Sequence, residues 1–378
     1  MRLPYLIKIA LRDCYKPVLF TLAKRNDTFL SMLPFRPASG KIIVTDNCNS
    51  RCITCSQWKN NSTNELTSKE ICDTLTQLRE LGVIHLQFTG GEPLLRHDLP
   101  RLVERAAKLR FQSIGILTNG LLLTESRAKK LLDSGLTSVG ISVDGLRETH
   151  EYVRGVKSSF DKTIAALEML SHLGEQSYPH LKVTITTTLT RPTLNQVLPV
   201  TNLTSTYQKT ARFRISLLST TPYLFQGVDT SSLIIEDQKK LDEVVHQLHN
   251  IKTEKPGVFV WNQTHQSLEY IKRYYTDSRR TDIPCVMGYS SIYVRAHGEI
   301  HHGCWAIKPV GNVREKKLVD IVNSVEYRKR LKDMFYKRCL GCACGYQVNL
   351  LYHLPTILGE IPWIIKSKVK ILRSAIGT

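Results

Sequence analysis

The 378-residue chain has no apolar run close to the roughly twenty residues that a bilayer-spanning helix needs, which excludes a helical integral membrane protein. It shows no clear secretory signal, so its cysteines are expected in a reducing cytosol rather than in disulfides. Internal repeats and low-complexity tracts are lacking, which argues against a stacked-repeat array. Acidic residues are scarce: 33 Asp and Glu stand against 52 Lys and Arg, a net charge of +19. Such a balance invites nucleic acid. The basic residues are spread along the whole chain, however, and no RNA-binding or helix-turn-helix signature stands out, so nucleic acid is disfavoured. An acidic substrate, an anionic membrane surface or simple solubility each accounts for the charge.

Cysteine is plentiful. Ten are present, at 14, 48, 52, 55, 72, 285, 304, 339, 342 and 344. Three fall in Cys48-Asn49-Ser50-Arg51-Cys52-Ile53-Thr54-Cys55, a C-x3-C-x2-C spacing. A structural zinc knot wants four ligands in closed geometry, and no fourth Cys or His lies near. A four-iron cluster on three thiolates keeps one iron open to bind and activate a small molecule. Iron–sulfur is therefore favoured over zinc. Cys14 and Cys72 stand alone and read as small buried hydrophobes.

From residue 41 the pattern alternates strand and helix. Strands are expected at Lys41–Asp46, Val83–Phe88, Ser113–Leu117, Ser138–Val143, Lys182–Leu189 and Ala211–Leu217. Helices are expected at Lys69–Gly82, Asp98–Arg110, Glu125–Ser134 and Phe160–Leu173. Strands separated by helices pair in parallel. Six units predict an α/β fold, a partial (β/α)6 TIM-like barrel, with ligands beyond the carboxyl ends of the strands. The cysteine loop follows the first strand. Phe88-Thr89-Gly90-Gly91-Glu92-Pro93 closes the second, Thr118-Asn119-Gly120 the third and Ser142-Val143-Asp144-Gly145 the fourth, so all four motifs share one rim. Two further helices, Glu236–Asn250 and Gln266–Tyr275, lead to a candidate boundary at Pro284-Cys285.

This ordered set resembles the radical S-adenosylmethionine (radical SAM) enzymes over about residues 40–345. The resemblance implies that Cys48, Cys52 and Cys55 bind a catalytic 4Fe-4S cluster whose open iron chelates the amino and carboxylate groups of S-adenosylmethionine. It implies that Glu92 and the backbone of Gly90, Gly91 and Glu92 hold the methionine ammonium, with Pro93 part of the same cofactor-binding motif. Asn119 lies on the same cofactor rim, and Ser142 and Asp144 suit the ribose hydroxyls. Arg154, in Arg154-Gly155, is a candidate for the methionine carboxylate, with an ion pair as the alternative. The family's aromatic residue before the third cysteine is Thr54 here, and Trp58 is the candidate to pack on adenine in its place. The family's fifth-strand adenine motif is not obvious; Thr186–Leu189 is where it would fall.

Cys285 and Cys304, then Cys339, Cys342 and Cys344, resemble the SPASM/twitch extension of the same enzymes. Five cysteines rather than seven imply the shorter twitch type with one auxiliary 4Fe-4S cluster on Cys285, Cys304, Cys339 and Cys342. Cys344 is then a replacement ligand or a spare thiol. His301 and His302 flank Cys304; exposed hairpin histidines are favoured over ligands. The expected organisation is a basic amphipathic extension over 1–39, the barrel over 40–230 and a helical connection over 231–284. The cluster domain covers 285–346 and a basic amphipathic tail 347–378. Both ends are expected to dock on the barrel and close its open side, with peripheral membrane contact as the alternative. The implied activity is reductive cleavage of S-adenosylmethionine to a 5′-deoxyadenosyl radical that takes hydrogen from an unactivated carbon. An external electron donor is required. Oxidation or crosslinking of a small-molecule, sugar-like or peptide substrate would follow. A non-catalytic iron–sulfur carrier or scaffold docking an acidic partner is the alternative of a different class.

Overall fold

The computed structural model describes residues 15–33, 35–60, 62–218, 228–276, 283–305, 307–339 and 345–362. Cys14, Cys342, Cys344 and the outer parts of both termini lie outside the described residues.

Apolar periodicity of two produces the strands, and they form where expected: β1 Ser39–Thr45, β2 His85–Gly90, β3 Ser113–Thr118, β4 Ser138–Ser142, β5 Lys182–Leu189 and β6 Ala211–Leu217. They pair in parallel in that order. Two more, β7 Ser291–Val294 and β8 Ile300–His301, come from beyond residue 285. β7 pairs in parallel with β1 on the side away from β2, and β8 pairs antiparallel with β7. One eight-stranded sheet results, in the order β6-β5-β4-β3-β2-β1-β7-β8. The segment expected as a separate small domain thus shares the barrel's sheet.

Register sorts the two faces. Leu86, Phe88, Ile114, Ile116, Val139, Ile141, Val183, Ile185, Phe213 and Ile215 lie on one face and are buried. They pack with the helical layer: Ile71, Leu75 and Leu78 of the helix Ser68–Glu80, and Leu102, Val103 and Ala106 of the helix Leu99–Lys108. The first of these helices starts at a Thr67–Glu70 capping box. The opposite face is mostly polar and half-buried. In register across it run Lys41, Gln87, Gly115, Ser138 and Lys182, and two levels further Ser142, Thr186 and Arg214.

Two helices of the barrel escaped sequence reading. Arg147–Arg154 buries only His150 and Val153, too few apolar positions to register as periodic. Val197–Thr206 is rich in β-branched residues of low helix propensity.

The free edge of β6 is covered. Val260 N–H donates to Phe213 O, Ile215 N–H to Gln263 Oε1, and Tyr346 Oη to Ile215 O. The helix Tyr346–Leu351 also accepts Val286 N–H at Asn349 Oδ1, just before β7. It therefore ties the two ends of the barrel together.

At the other end of the chain, Phe20 of the helix Lys16–Ala23 packs against Tyr289, Phe335 and Tyr352, with ring centroids 5.5, 5.6 and 5.9 Å away. Its Ala23 carbonyl accepts from Tyr336 Oη. The described part of the N-terminal extension is docked on the protein. No helix among the described residues is long and apolar enough to cross a membrane.

Candidate active site

The three cysteines of the first group stand on the loop after β1, each partly exposed. The loop is held by every neighbouring motif. Gly91 N–H donates to Thr45 O and Glu92 N–H to Asn47 O, both at 2.8 Å. A Cβ on Gly90 would stand 2.2 Å from Thr45 O, and one on Gly91 2.1 Å from Asn47 O. That close approach is why both positions are glycine.

From β3, Asn119 Nδ2 donates to Asn49 Oδ1 at 2.7 Å and to Ser50 Oγ at 2.9 Å, gripping the residues between the first two cysteines. Glu92 holds Asn119 in turn. Its buried carboxylate accepts from Asn119 N–H, Thr118 Oγ1 and Leu94 N–H at 2.8, 2.8 and 3.0 Å. Burial raises its pKa, and these donors pull against that rise. Pro93 is buried and opens a single helical turn, Pro93–Leu95.

The missed helix Arg147–Arg154 completes the grip. Its last two carbonyls, Val153 O and Arg154 O, accept from Ile53 and Arg51 N–H at 3.0 and 2.9 Å. Gly155 follows at φ +62°, and a Cβ there would lie 2.6 Å from Arg51 O. The Arg154 side chain turns inward. Its Nη2 lies 2.6 Å from Asp144 Oδ2, and its Nη1 stands 3.7 Å from Cys52 Sγ. Asp144 Oδ1 also accepts Thr188 N–H at 2.8 Å. Asp144, expected at a ribose, thus has both oxygens engaged by the protein. The Arg154 side chain is 14% exposed and its partner Asp144 is buried, so the ion pair lies largely in the interior rather than on the surface. Although burial works against the Arg154 charge, Asp144 and Cys52 hold its pKa above the ordinary arginine value. Its Nε is buried with no hydrogen-bond partner among the described residues.

Trp58 lies beside the loop. Its Nε1 donates to Cys52 O at 3.3 Å, and the Arg51 guanidinium sits 5.4 Å from its ring centroid. Ser142 ends β4, half-buried and in register with Thr186.

Sequence reading missed a second buried acid. Asp46 immediately precedes the loop, and Gln57 Nε2 donates to it. Its Oδ2 lies 3.4 Å from Arg295 Nη2 and 3.8 Å from His297 Nδ1. Burial raises its pKa, and Arg295 and His297 work in the lowering direction. Arg295 and His297 lie in the turn between β7 and β8, so the C-terminal segment reaches the cysteine loop directly. No local sequence signal marks a contact across about 250 residues.

The donor set fits an iron–sulfur cluster. Burial pushes the Cys48 thiol up to about 11 and raises Cys55 as well. Ser50 and Gln57 N–H groups stand 3.4 Å from Cys48 and Cys55 Sγ. Among the described residues no three His, Cys, Asp or Glu side chains gather as ligands of one ion. Cluster thiolates each bind a different iron and need not converge.

The second group is assembled differently. Cys304 is buried with Met287, Tyr293 and Met334, and Cys285 packs against the same cluster. Cys285 N–H donates to Phe335 O, at the end of the helix Val325–Phe335, and Cys339 follows that helix. His301 and His302 are fully buried, not exposed as expected. His301 Nδ1 meets Ile307 O at 2.9 Å, and the His302 ring packs 3.9 Å from the Tyr327 ring. Burial lowers the pKa of His301 to about 4 and of His302 to about 3, which keeps both neutral.

Comparison with known proteins agrees with this geometry. Residues 42–196 match the radical SAM superfamily, and residues 285–343 match an iron-sulfur cluster-binding domain of the SPASM type. The chain is 39% identical over 126 residues to an Fe-coproporphyrin III synthase of Methanosarcina barkeri, covering 33% of this chain and 31% of that protein. It is 35% identical over 136 residues to a probable GTP 3′,8-cyclase of Archaeoglobus fulgidus, covering 35% and 45%. The matched region thus spans less than half the length of either relative. The crystal structure of Streptococcus suis SuiB bound to its precursor peptide SuiA has the same fold, at TM-score 0.63 and 18% identity over 88% of this chain and 77% of that one.

Proposed function

We propose that this chain, a member of the radical SAM superfamily with a SPASM-type cluster-binding domain, reductively cleaves S-adenosylmethionine to initiate radical chemistry on a bound substrate. When bound, a cluster with one iron free of protein ligands supplies the electron that splits the sulfonium bond, and the deoxyadenosyl radical takes a hydrogen from the substrate.

The chain's own residues position and insulate. Cys48, Cys52 and Cys55 hold the cluster. Arg154, fixed by Asp144 beside Cys52, offsets thiolate charge, and its unpartnered Nε is a donor for the methionine carboxylate. The backbone at Gly90–Glu92, with the lone pair that Glu92 has left, accepts the methionine ammonium. Ser142 offers a hydroxyl to the ribose, and Trp58 a flat apolar face to the adenine. Cys285, Cys304 and Cys339, with Cys342 or Cys344, hold an auxiliary cluster. An auxiliary acceptor suits a net oxidation or a crosslink of the substrate, with an external donor supplying electrons.

The observation that carries this reading is the convergence of Asn119, Gly91, Glu92 and Arg154 on one three-cysteine loop. An electron carrier has no need of an arginine fixed by an acid beside the cysteine loop with one N–H left unpartnered. The test is anaerobic reconstitution with dithionite and S-adenosylmethionine. About eight irons per chain with formation of 5′-deoxyadenosine are expected. Full iron with no deoxyadenosine, under any reductant, would return the chain to the carrier class.

A further inference from the structure

The barrel's inner face is not built as a core. Its helix-facing side is apolar and buried, whereas Lys41, Gln87, Thr184, Thr186, Arg214 and Ser216 share the other side and remain partly open to solvent. Polar side chains on an inward face are stable where water or a ligand meets them. None of the eight strands contains an Asp or Glu. Among the described residues, Asp144 is ion-paired with Arg154 and Asp46 with Arg295.

Arg214 is left over. Its Nε is buried without a hydrogen-bond partner, and no ion pair to it exists among the described residues. Burial lowers its pKa, and Tyr346 acts on it in the raising direction. Tyr346 cannot serve as its counter-ion, because burial holds that phenol well above its ordinary pKa and therefore neutral. A guanidinium with its Nε buried and no anion beside it is costly to keep, and its planar fork matches a carboxylate or a phosphate in two parallel hydrogen bonds.

We propose that Arg214 binds an oxyanion carried by the substrate, so that the molecule processed in this barrel is an anion. The proposal rests on the radical SAM reading for the barrel's being a substrate chamber. Arg214 stands on β6, five strands from the cysteine loop on β1, while Arg154 with its own unpartnered Nε stands beside that loop. The cofactor's carboxylate therefore has a nearer partner, and Arg214 is free for the substrate. Thr186, beside it in register, adds a hydroxyl donor.

Pyrophosphate and succinate serve as probes, titrated calorimetrically into the reconstituted full-length protein at about 0.15 M salt, with and without saturating S-adenosylmethionine. One equivalent of probe is expected to bind in both conditions. Arg214→Gln should weaken binding about tenfold or more, and Arg214→Lys, which keeps the charge and loses the fork, by less. Preference for pyrophosphate would mark a phosphate-bearing substrate and preference for succinate a carboxylate; either supports the proposal.

Equal binding by wild type and Arg214→Gln overturns it. So does displacement of the probe by S-adenosylmethionine, which would give Arg214 to the cofactor. Should Arg214→Gln fail to load iron, Thr186→Leu decides: it sets an apolar chain beside the guanidinium and must weaken the same probe, and unchanged binding overturns the proposal. Failures are separable. Deoxyadenosine formed by wild type without probe binding removes the anion site alone. Probe binding without deoxyadenosine removes the radical SAM reading and leaves the anion site standing.

Discussion

The two cysteine regions reach comparable ends by opposite means. The first packs three thiols into eight residues and then needs the rest of the barrel to hold that short loop open: Glu92, Asn119, Val153 and Arg154 all bond to its backbone or side chains, and Gly91 bonds to the end of β1 just before it. The second draws on Cys285, Cys304 and Cys339, far apart in sequence, and gathers the first two on apolar contacts with Met287, Tyr293 and Met334. Polar bonds have direction, so they set the orientation of a loop. Apolar packing sets proximity with little angular demand. A site that must leave one coordination position open and place a small molecule against it has use for the first kind of control, and a closed cluster can be served by the second.

The comparison breaks most visibly at the thiols. Cys55→Ala is expected to lower deoxyadenosine formation by about a thousandfold or more while the C-terminal cluster keeps about four irons. Cys304→Ala should do the reverse, losing about four irons with measurable cofactor cleavage retained. Loss of all cleavage in Cys304→Ala, with the first cluster loaded, would mean that the two regions are not separable.

The directional ties come next. Arg154→Ala leaves Asp144 buried without its cation and should destabilise the fold by about 3–5 kcal/mol, read as a lowered denaturation midpoint. Asp144→Asn combined with Arg154→Ala should recover part of that loss. Absence of recovery would show that the arginine acts on Cys52 rather than through Asp144.

The smallest effect belongs to a surface clasp between the regions. Arg314, beyond β8, bonds Glu70 at the start of the helix Ser68–Glu80, and Glu70's pKa falls to about 2 through this bond and Thr67. A carboxyl depressed in the folded state stabilises above its ordinary range and loses that contribution as pH falls toward 2. Arg314→Ala should cost about 0.5 kcal/mol at neutral pH, a figure discounted for exposure, and flatten the acid limb of the stability curve below pH 4.5. An unaltered acid limb would leave the clasp without energetic weight.

Much of the first region was legible because its information is local. Gly90-Gly91-Glu92-Pro93, Asn119 and the cysteine spacing each announce themselves within a few residues, and β5 and β6 form over the ranges that alternation predicts. What escaped was either faint or distant. The helix Arg147–Arg154 buries two side chains and leaves no stripe to read. Asp46 meets Arg295 across about 250 residues, which no local pattern encodes. His301 and His302 look like solvent-facing hairpin residues by type, and only the packing of Tyr327 and Trp305 over them explains their burial. Arg214 reads in sequence as an ordinary charged strand position, and only the structure shows its Nε buried with no partner among the described residues.

The pairing of β7 with β1 has a consequence for how the chain comes to be folded. β1 is an interior strand only after residues 291–294 have arrived; until then one full side of its backbone donors and acceptors faces water. On a ribosome the barrel's first strand waits while some 250 further residues are made, and contacts of that sequence separation close slowly. A nascent chain stalled before Ser291 would carry a parallel sheet open at β1, the side on which its cysteine loop emerges, with a ready template for strand addition by a neighbour.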